Sequence, residues 1–287
     1  MEPTLVTYPP PAPPTGSWVR RGLRAVFVDR KVPYRLDHWG GRLLRAVGLK
    51  HRTVTVGGLR FAVRRGTWAD EAVLRHVVGD REYHPPGYEI GPDDVVIDVG
   101  ANIGAFAVTA ARAAANGRVY AFEPEPDNFA LLCGNVRRNG CRNVTPVRAA
   151  VADEAGEVAL SLSAGNAAGH SVQRRHGGRD VVVPAVTLGG LLDEYRIERC
   201  DFLKLDCEGA EYDILYGLPP AYFPRIRRLA VEDHASPDEK RGKGNELVAF
   251  LRGVGFRVDL YTSVVGSRNG LIFASREAPA EPPRKPR

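Results

Sequence analysis

Several familiar signals are missing from this 287-residue chain, and each absence narrows what it can be. It has no run of 18 apolar residues, so nothing in it reads as a membrane-spanning helix. Its four cysteines, Cys133, Cys141, Cys200 and Cys207, show no C-x-x-C spacing or paired framework, which argues for free thiols in a reducing cytosol. There is no G-x-x-x-x-G-K-[ST] phosphate loop. Charge of one sign is not in large excess either. Forty Lys and Arg against 34 Asp and Glu leave +6, which by itself is no nucleic-acid signature. The start, Met1-Glu-Pro-Thr4 followed by Pro9-Pro-Pro-Ala-Pro-Pro14, lacks the charged and apolar regions of a secretory signal, so a cytoplasmic location is expected. No internal repeat is evident.

What is present is concentrated in Val95-Val-Ile-Asp-Val-Gly-Ala-Asn-Ile-Gly-Ala-Phe106. The β-branched run predicts a parallel strand buried on both faces. Asp98 interrupts it near the carboxyl end, where an unpaired charge is costly. Gly100 and Gly104 then bracket a turn that lets backbone approach a ligand, and a helix follows. A dinucleotide fold uses G-x-G-x-x-G. Here the spacing is Asp98-x-Gly100-x-x-x-Gly104, with Asn102 where a glycine is expected, which disfavours NAD. The pattern resembles the first motif of S-adenosylmethionine-dependent methyltransferases.

A second short strand, Val119-Tyr-Ala-Phe122, ends in Glu123-Pro124. A carboxylate there can accept hydrogen bonds from two ribose hydroxyls. Pro124 stops the strand, and Asp127 or Asn128 can cap the next helix. Further along come Asn135-Val136, Asn139 and Ala149-Ala-Val151, then Phe202-Leu-Lys-Leu-Asp-Cys-Glu-Gly-Ala-Glu211. With Glu82-Tyr83 upstream and Val231-Glu-Asp-His234 downstream, the series resembles the FkbM family of methyltransferases, including its K-x-D-x-E-G-x-E motif. Asp233 departs from the apolar residue usual at its place in that family.

Alternating strands and helices predict an α/β doubly wound sheet. The resemblance implies a Rossmann-like class I methyltransferase fold, with a seven-stranded, mostly parallel sheet, helices on both faces and a small β-hairpin insertion. Strands are expected near 95–99, 118–122, 145–150, 202–206, 227–232, 256–261 and 270–274, with helices near 68–79, 104–115, 127–138, 187–195, 209–217 and 244–253. The hairpin falls at 158–162 and 181–186. Its connection, rich in Gly, Ala, Ser and Arg, is either a substrate lid or a plain hairpin end. The expected division is a disordered Pro-rich 1–17, a basic extension with helices at 18–90 on the acceptor side, the methyltransferase domain at 91–276 and a disordered tail at 277–287. Trp18, Trp39, Leu43, Leu44 and Val47 suggest that the basic extension folds against the main domain.

The resemblance makes S-adenosylmethionine the cofactor. Its expected contacts are Tyr83, Asp98, Gly100, Ala101, Asn102, Gly104, Glu123, Pro124, Ala150, Val151 and Asp206. Backbone N–H groups of Ala101 to Gly104 can face the methionine carboxylate, and Ala150 and Val151 are small enough to lie against adenine. Asp206, Glu208, Glu211, Glu232 and His234, at strand tips, are the catalytic candidates, with His234 as general base. Glu211 also reads as a helix-start charge paired with Lys204 or an arginine. Cys207 reads as a small apolar filler. The acceptor is expected to be a small-molecule, sugar or natural-product hydroxyl. No resident metal is expected, although Asp206, Glu232, Asp233 and His234 form an alternative oxygen-rich set for metal-assisted O-methylation. RNA modification is the other alternative, opposed by the lack of an N-P-P-Y motif and of RNP aromatics. Oligomeric state has no readable code.

Overall fold

The computed structural model describes residues 49–162, 180–234, 240–262 and 270–276. The Pro-rich start, the apolar residues from Trp18 to Val47, the connection 163–179 and the tail 277–287 lie outside the described residues. No helix among the described residues is long and apolar enough to cross a membrane.

The centre is β3 (Val95–Val99), whose neighbours are β4 (Arg118–Phe122) on one side and β9 (Phe202–Leu205) on the other. β5 (Val144–Val147) extends the sheet beyond β4, and β10 (Arg228–Asp233) extends it beyond β9. All four pairings are parallel. β12 (Gly270–Ser275) is inserted antiparallel between β10 and β11 (Arg257–Thr262), completing seven strands in the order β11-β12-β10-β9-β3-β4-β5. The expected seven-stranded, mostly parallel sheet is therefore present.

Alternation along the strands builds two apolar layers. Val96, Ala121 and Phe202 face a layer closed by α2 (Ala105–Ala113) and α3 (Pro126–Arg138). Ile97, Val99, Leu203 and Leu205 face the other, closed by α4 (Leu188–Glu194), α5 (Glu211–Gly217) and α6 (Lys240–Gly253). Chain order reverses at β3, so the carboxyl ends of β3, β4 and β9 meet where open α/β sheets bind ligands.

Three expectations need correction. The predicted strand 145–150 is two strands: β5 stays in the main sheet, while β6 (Ala150–Ala152) leaves it. β6 pairs in parallel with β8 (Asp180–Thr187), which also pairs antiparallel with β7 (Gly156–Ser161). The insertion is thus a three-stranded sheet built onto the end of β5, not a free hairpin. The helix-capping side chain belongs to Glu125, which accepts from Asn128 N at 2.6 Å with Pro126 in the first turn.

The third correction concerns the extension at 18–90, expected to be helical. Its described part opens with an antiparallel hairpin, β1 (His51–Val56) and β2 (Leu59–Arg64). Gly57 and Gly58 both have positive φ, which a two-residue type I′ turn demands. Only then comes α1 (Ala69–Leu74), continuing into a π turn over Arg75–Gly79. Two asparagines one turn apart, Asn135 on α3 and Asn139 at its C-cap, join the hairpin to the main domain. Asn135 accepts from Ala62 N (2.6 Å) and donates to Ala62 O (3.2 Å), and Asn139 does the same at Arg60 (2.9 and 2.7 Å). Each side-chain amide thus supplies the bonds a further strand would give β2. Asn135 also donates to Ile103 O at 2.8 Å, tying the hairpin to the turn after β3.

Because Asn135 is fully buried, its replacement by alanine leaves buried backbone groups unpaired, each costing about 1–3 kcal/mol. Urea unfolding of Asn135→Ala is expected to show a loss of at least about 2 kcal/mol, and of Asn139→Ala, at a half-buried position, a smaller one.

Candidate active site

The strand ends open on a cleft of about 600 Å³, its mouth included. Val99, Gly100, Asn102, Phe122, Glu123, Pro124 and Asn128 line one side, and Ala149, Ala150, Val151 and Leu160 another. Asp206, Cys207, Glu208 and Ala210 complete it.

At Gly100 the chain just past β3 lies close against the chain just past β9. Its φ is +76°, and a Cβ there would stand 1.8 Å from the carbonyl oxygen of Asp206. No side chain fits. Gly104 serves a different purpose from the one expected: its missing Cβ makes room for Leu132, 2.8 Å away, so α2 can pack on α3. The N–H groups after β3 are also largely committed. Gly100 and Ala101 donate to Phe122 O (3.0 and 2.9 Å), Asn102 to Glu123 Oε2 (2.7 Å) and Gly104 to Ala101 O (2.8 Å). Of the N–H groups expected to face a ligand carboxylate, those of Ala101 and Asn102 are thus spent on Phe122 and Glu123 and that of Gly104 inside the turn.

Asn102 (φ +51°) and Glu123 remain at the cleft. Glu123 accepts from Asn102 N through one oxygen and from Glu125 N, at 2.9 Å, through the other. Burial pushes its carboxyl up to about 7 despite these bonds. Asn102 Oδ1 is buried with no hydrogen-bond partner among the described residues. An orphaned acceptor beside a fixed carboxylate fits the hydroxyls and ammonium of the expected cofactor, and the small residues Ala149 to Val151 with Leu160 fit its flat base. Leu160, from the insertion sheet, was not foreseen.

Asp98 does not reach the cleft. It is fully buried, and its register partner on β9 is Lys204, whose Nζ lies 3.0 Å from Oδ1. Burial pushes the Asp98 carboxyl up, and Lys204 opposes this. Lys204 Nζ also meets Gly100 O at 3.2 Å and Asp206 Oδ2 at 3.3 Å, and faces the Tyr83 ring at 5.2 Å. Lys204 was read only as a possible partner of Glu211. Its true partners are Asp98 and Asp206.

The acidic end is built around Asp206, Glu232 and His234. Tyr83, buried and not lining the cleft, places its hydroxyl 3.0 Å from Asp206 Oδ2 and 3.1 Å from Glu232 Oε2. His234 Nδ1 lies 2.8 Å from Glu211 Oε1. Its Nε2 stands 3.6 Å from Glu232 Oε1 and 3.8 Å from both Asp206 Oδ1 and Glu208 Oε2. Glu211 is fully buried and accepts from Cys207 N (2.7 Å) and Gly209 N (2.9 Å). It is a positioning residue that braces the loop after β9 and aims the imidazole. Asp233 turns away, accepting from Tyr212 OH at 2.6 Å.

Burial alone would lower the His234 pKa, but its bond to Glu211 and the charges of Glu211, Glu232 and Asp206 raise it to about 10. The ring is thus one member of a coupled set of charges and not a lone base. Burial raises the Asp206 carboxyl, yet Lys204, His234 and the Tyr83 hydroxyl hold it below its usual range. Burial also pushes the Cys207 thiol well up, in keeping with an inert filler. Glu82, unremarked as a site residue, is raised to about 7 by burial and by the charge of Asp206.

The model of the Methyltransferase FkbM domain matches residues 98–258. Over 216 residues the chain is 33% identical to "31-O-demethyl-FK506 methyltransferase FkbM" of Streptomyces tacrolimicus, covering 65% of this chain and 81% of that relative. It is 30% identical over 152 residues to "Hexuronic acid methyltransferase AglP" of Haloferax volcanii, covering 53% of this chain and 61% of that one. Among solved structures, a methyltransferase FkbM from Methylobacillus flagellatus KT aligns with a TM-score of 0.48 at 16% identity, over 85% of this chain and 63% of that one.

Gly100→Ala is expected to cost about 3 kcal/mol or more in denaturant unfolding, since the clash is backbone on backbone. Near-native stability would show that the two strand ends can separate. For Glu123, an acid whose folded pKa is raised from 4.5 to about 7, the unfolded state loses its proton first, so stability falls as pH rises through that window. Relative to the parent, Glu123→Gln is therefore expected to gain stability between pH 4.5 and 7, by on the order of 3 kcal/mol, on top of any constant offset. A pH-independent difference would contradict the raised pKa.

Proposed function

The chain belongs to the FkbM methyltransferase family, and on that premise we propose that it transfers the methyl group of S-adenosylmethionine to a hydroxyl oxygen of a small molecule, a sugar or a natural-product scaffold. The observation that carries this reading is the division of one cleft into two chemical ends. At the donor end, Glu123 is placed for the ribose hydroxyls, Asn102 Oδ1 for a polar group of the cofactor, and Ala150, Val151 and Leu160 for the base. At the other end Asp206 and Glu208 line the wall, with Glu232 and His234 just behind them. The name of one relative carries "31-O-demethyl", which supports an oxygen acceptor, and that of another carries "hexuronic acid", which supports a sugar-type substrate.

The reaction is a displacement at carbon. The acceptor oxygen forms a bond to the methyl carbon, the carbon–sulfur electron pair returns to sulfur, and the hydroxyl proton leaves. Holding oxygen, carbon and sulfur in line supplies much of the rate, up to roughly 7–11 kcal/mol in ideal cases. The proton passes to the coupled set of Asp206, Glu208, Glu232 and His234 as a unit. Tyr83 fixes the orientation of two members and Glu211 that of a third. The methyltransferase domain is assigned to 91–276. Of the extension expected at 18–90, the described residues 49–90 contribute to the acceptor side, as the reach of Tyr83 to Asp206 and Glu232 supports.

Calorimetry with S-adenosylmethionine is expected to show one donor per chain, with Glu123→Ala weakening it at least about tenfold. Glu232→Gln is expected to keep donor affinity while turnover, followed with labelled donor on a panel of sugars and natural-product alcohols, falls by about 10²–10⁴. Label recovered on nitrogen or carbon instead of oxygen would overturn the acceptor class.

A further inference from the structure

We propose that Asp206, Glu232 and His234 form a binding site for a divalent cation at the acceptor end of the cleft. One ligand atom from each of the three lies within 4.8 Å of the others. Proximity of carboxylates alone would mean little. What distinguishes this group is that every member has one atom pinned and the other aimed at a common point. Asp206 Oδ2 and Glu232 Oε2 both lie at hydrogen-bond distance from the Tyr83 hydroxyl and share its one proton, while Oδ1 and Oε1 are the atoms nearest His234 Nε2. His234, only 4% exposed, has Nδ1 held by Glu211 and presents Nε2. That pattern of a carboxylate orienting a histidine whose other nitrogen faces inward is how metal-ligating imidazoles are fixed.

Nε2 has no hydrogen-bond partner among the described residues. Its distances of 3.6 and 3.8 Å to Glu232 Oε1 and Asp206 Oδ1 are too long for a bond to either. They match the separation of neighbouring donors around one ion, which at metal–ligand lengths of about 2.0–2.2 Å is roughly 3–4 Å. Two carboxylate oxygens and one imidazole suit Mn²⁺ or Zn²⁺ better than the all-oxygen shells of Ca²⁺. Asp206 lines the cleft, so an ion here meets the acceptor, and Glu208 Oε2, 3.8 Å from Nε2, borders the same point.

Catalytic use of the ion rests on the methyl-transfer reading. Binding does not. A hydroxyl coordinated to the cation loses its proton more readily. That proton passes to Glu208, the oxygen bonds the methyl carbon, and the carbon–sulfur pair stays on sulfur as the thioether forms.

The test uses the full chain stripped with EDTA and titrated with Mn²⁺, the free ion being counted by electron paramagnetic resonance, with Zn²⁺ and Mg²⁺ followed by calorimetry. Expected is one Mn²⁺ per chain, lost in Glu232→Gln and in His234→Gln. Tyr83→Phe and Glu211→Gln, which remove only orienting bonds, should weaken it by about 10–100-fold. Donor affinity is measured on every variant as the check of a folded cleft. Parent protein that binds the donor but none of the three ions overturns the site, as does ion uptake unchanged in both ligand variants. Protein that takes up the ion and not the donor upholds the site and overturns the methyl-transfer reading instead.

Discussion

A single buried ammonium holds the two halves of the cleft in place. Lys204 sits in the middle of the sheet, bonded to Asp98 on the adjacent strand and within ion-pair distance of Asp206 at its own strand's end. A charge so buried is tolerated only when paired, and removing either partner would leave the other stranded at a cost of several kcal/mol. The pairing therefore fixes the register of β9 against β3. It also sets the height at which the Asp206 backbone meets Gly100, and from that contact the cleft takes its shape.

The same economy governs the acidic end. Asp206 and Glu232 each set one oxygen near the Tyr83 hydroxyl and the other toward His234, and Glu211 spends both of its oxygens on bracing. Tyr83 arrives from outside the α/β core, behind a hairpin and a π turn, and its hydroxyl joins Asp206 and Glu232 across two strands. Burial pushes its own pKa well up, so it stays a donor throughout the working range. A helical turn wound wider than α just before a site residue is a recurring way to aim it.

Much of this could be seen in the linear chain because strand, glycine turn and helix carry separate signals. The β-branched run 95–99, the Glu123-Pro124 stop and the Lys204-to-Glu211 segment each gave an element and a tip residue. What escaped reading was partnership. Asp98 looked like a ligand contact because its residue type and place fit one, but register with β9 turned it toward Lys204. Glu211 looked catalytic or paired with Lys204 or an arginine, whereas the loop it closes and the histidine it steers come from folding. The hairpin at 51–64 had a signal, alternating residues around Gly57-Gly58, that was outweighed by the basic composition around it. The departure of β6 from the main sheet had none, since Ala150 to Ala152 suit either sheet.

The two asparagines of α3 and its cap have a consequence outside catalysis. A strand at the rim of a small sheet exposes a row of unspent donors and acceptors, a ready template for another chain to add to. By occupying the backbone of residues 60 and 62, Asn135 and Asn139 take that template out of circulation along β2. The β2 edge of the appended hairpin is in this way guarded against strand exchange and fibre-like growth by two amide groups lent from a neighbouring helix and its cap.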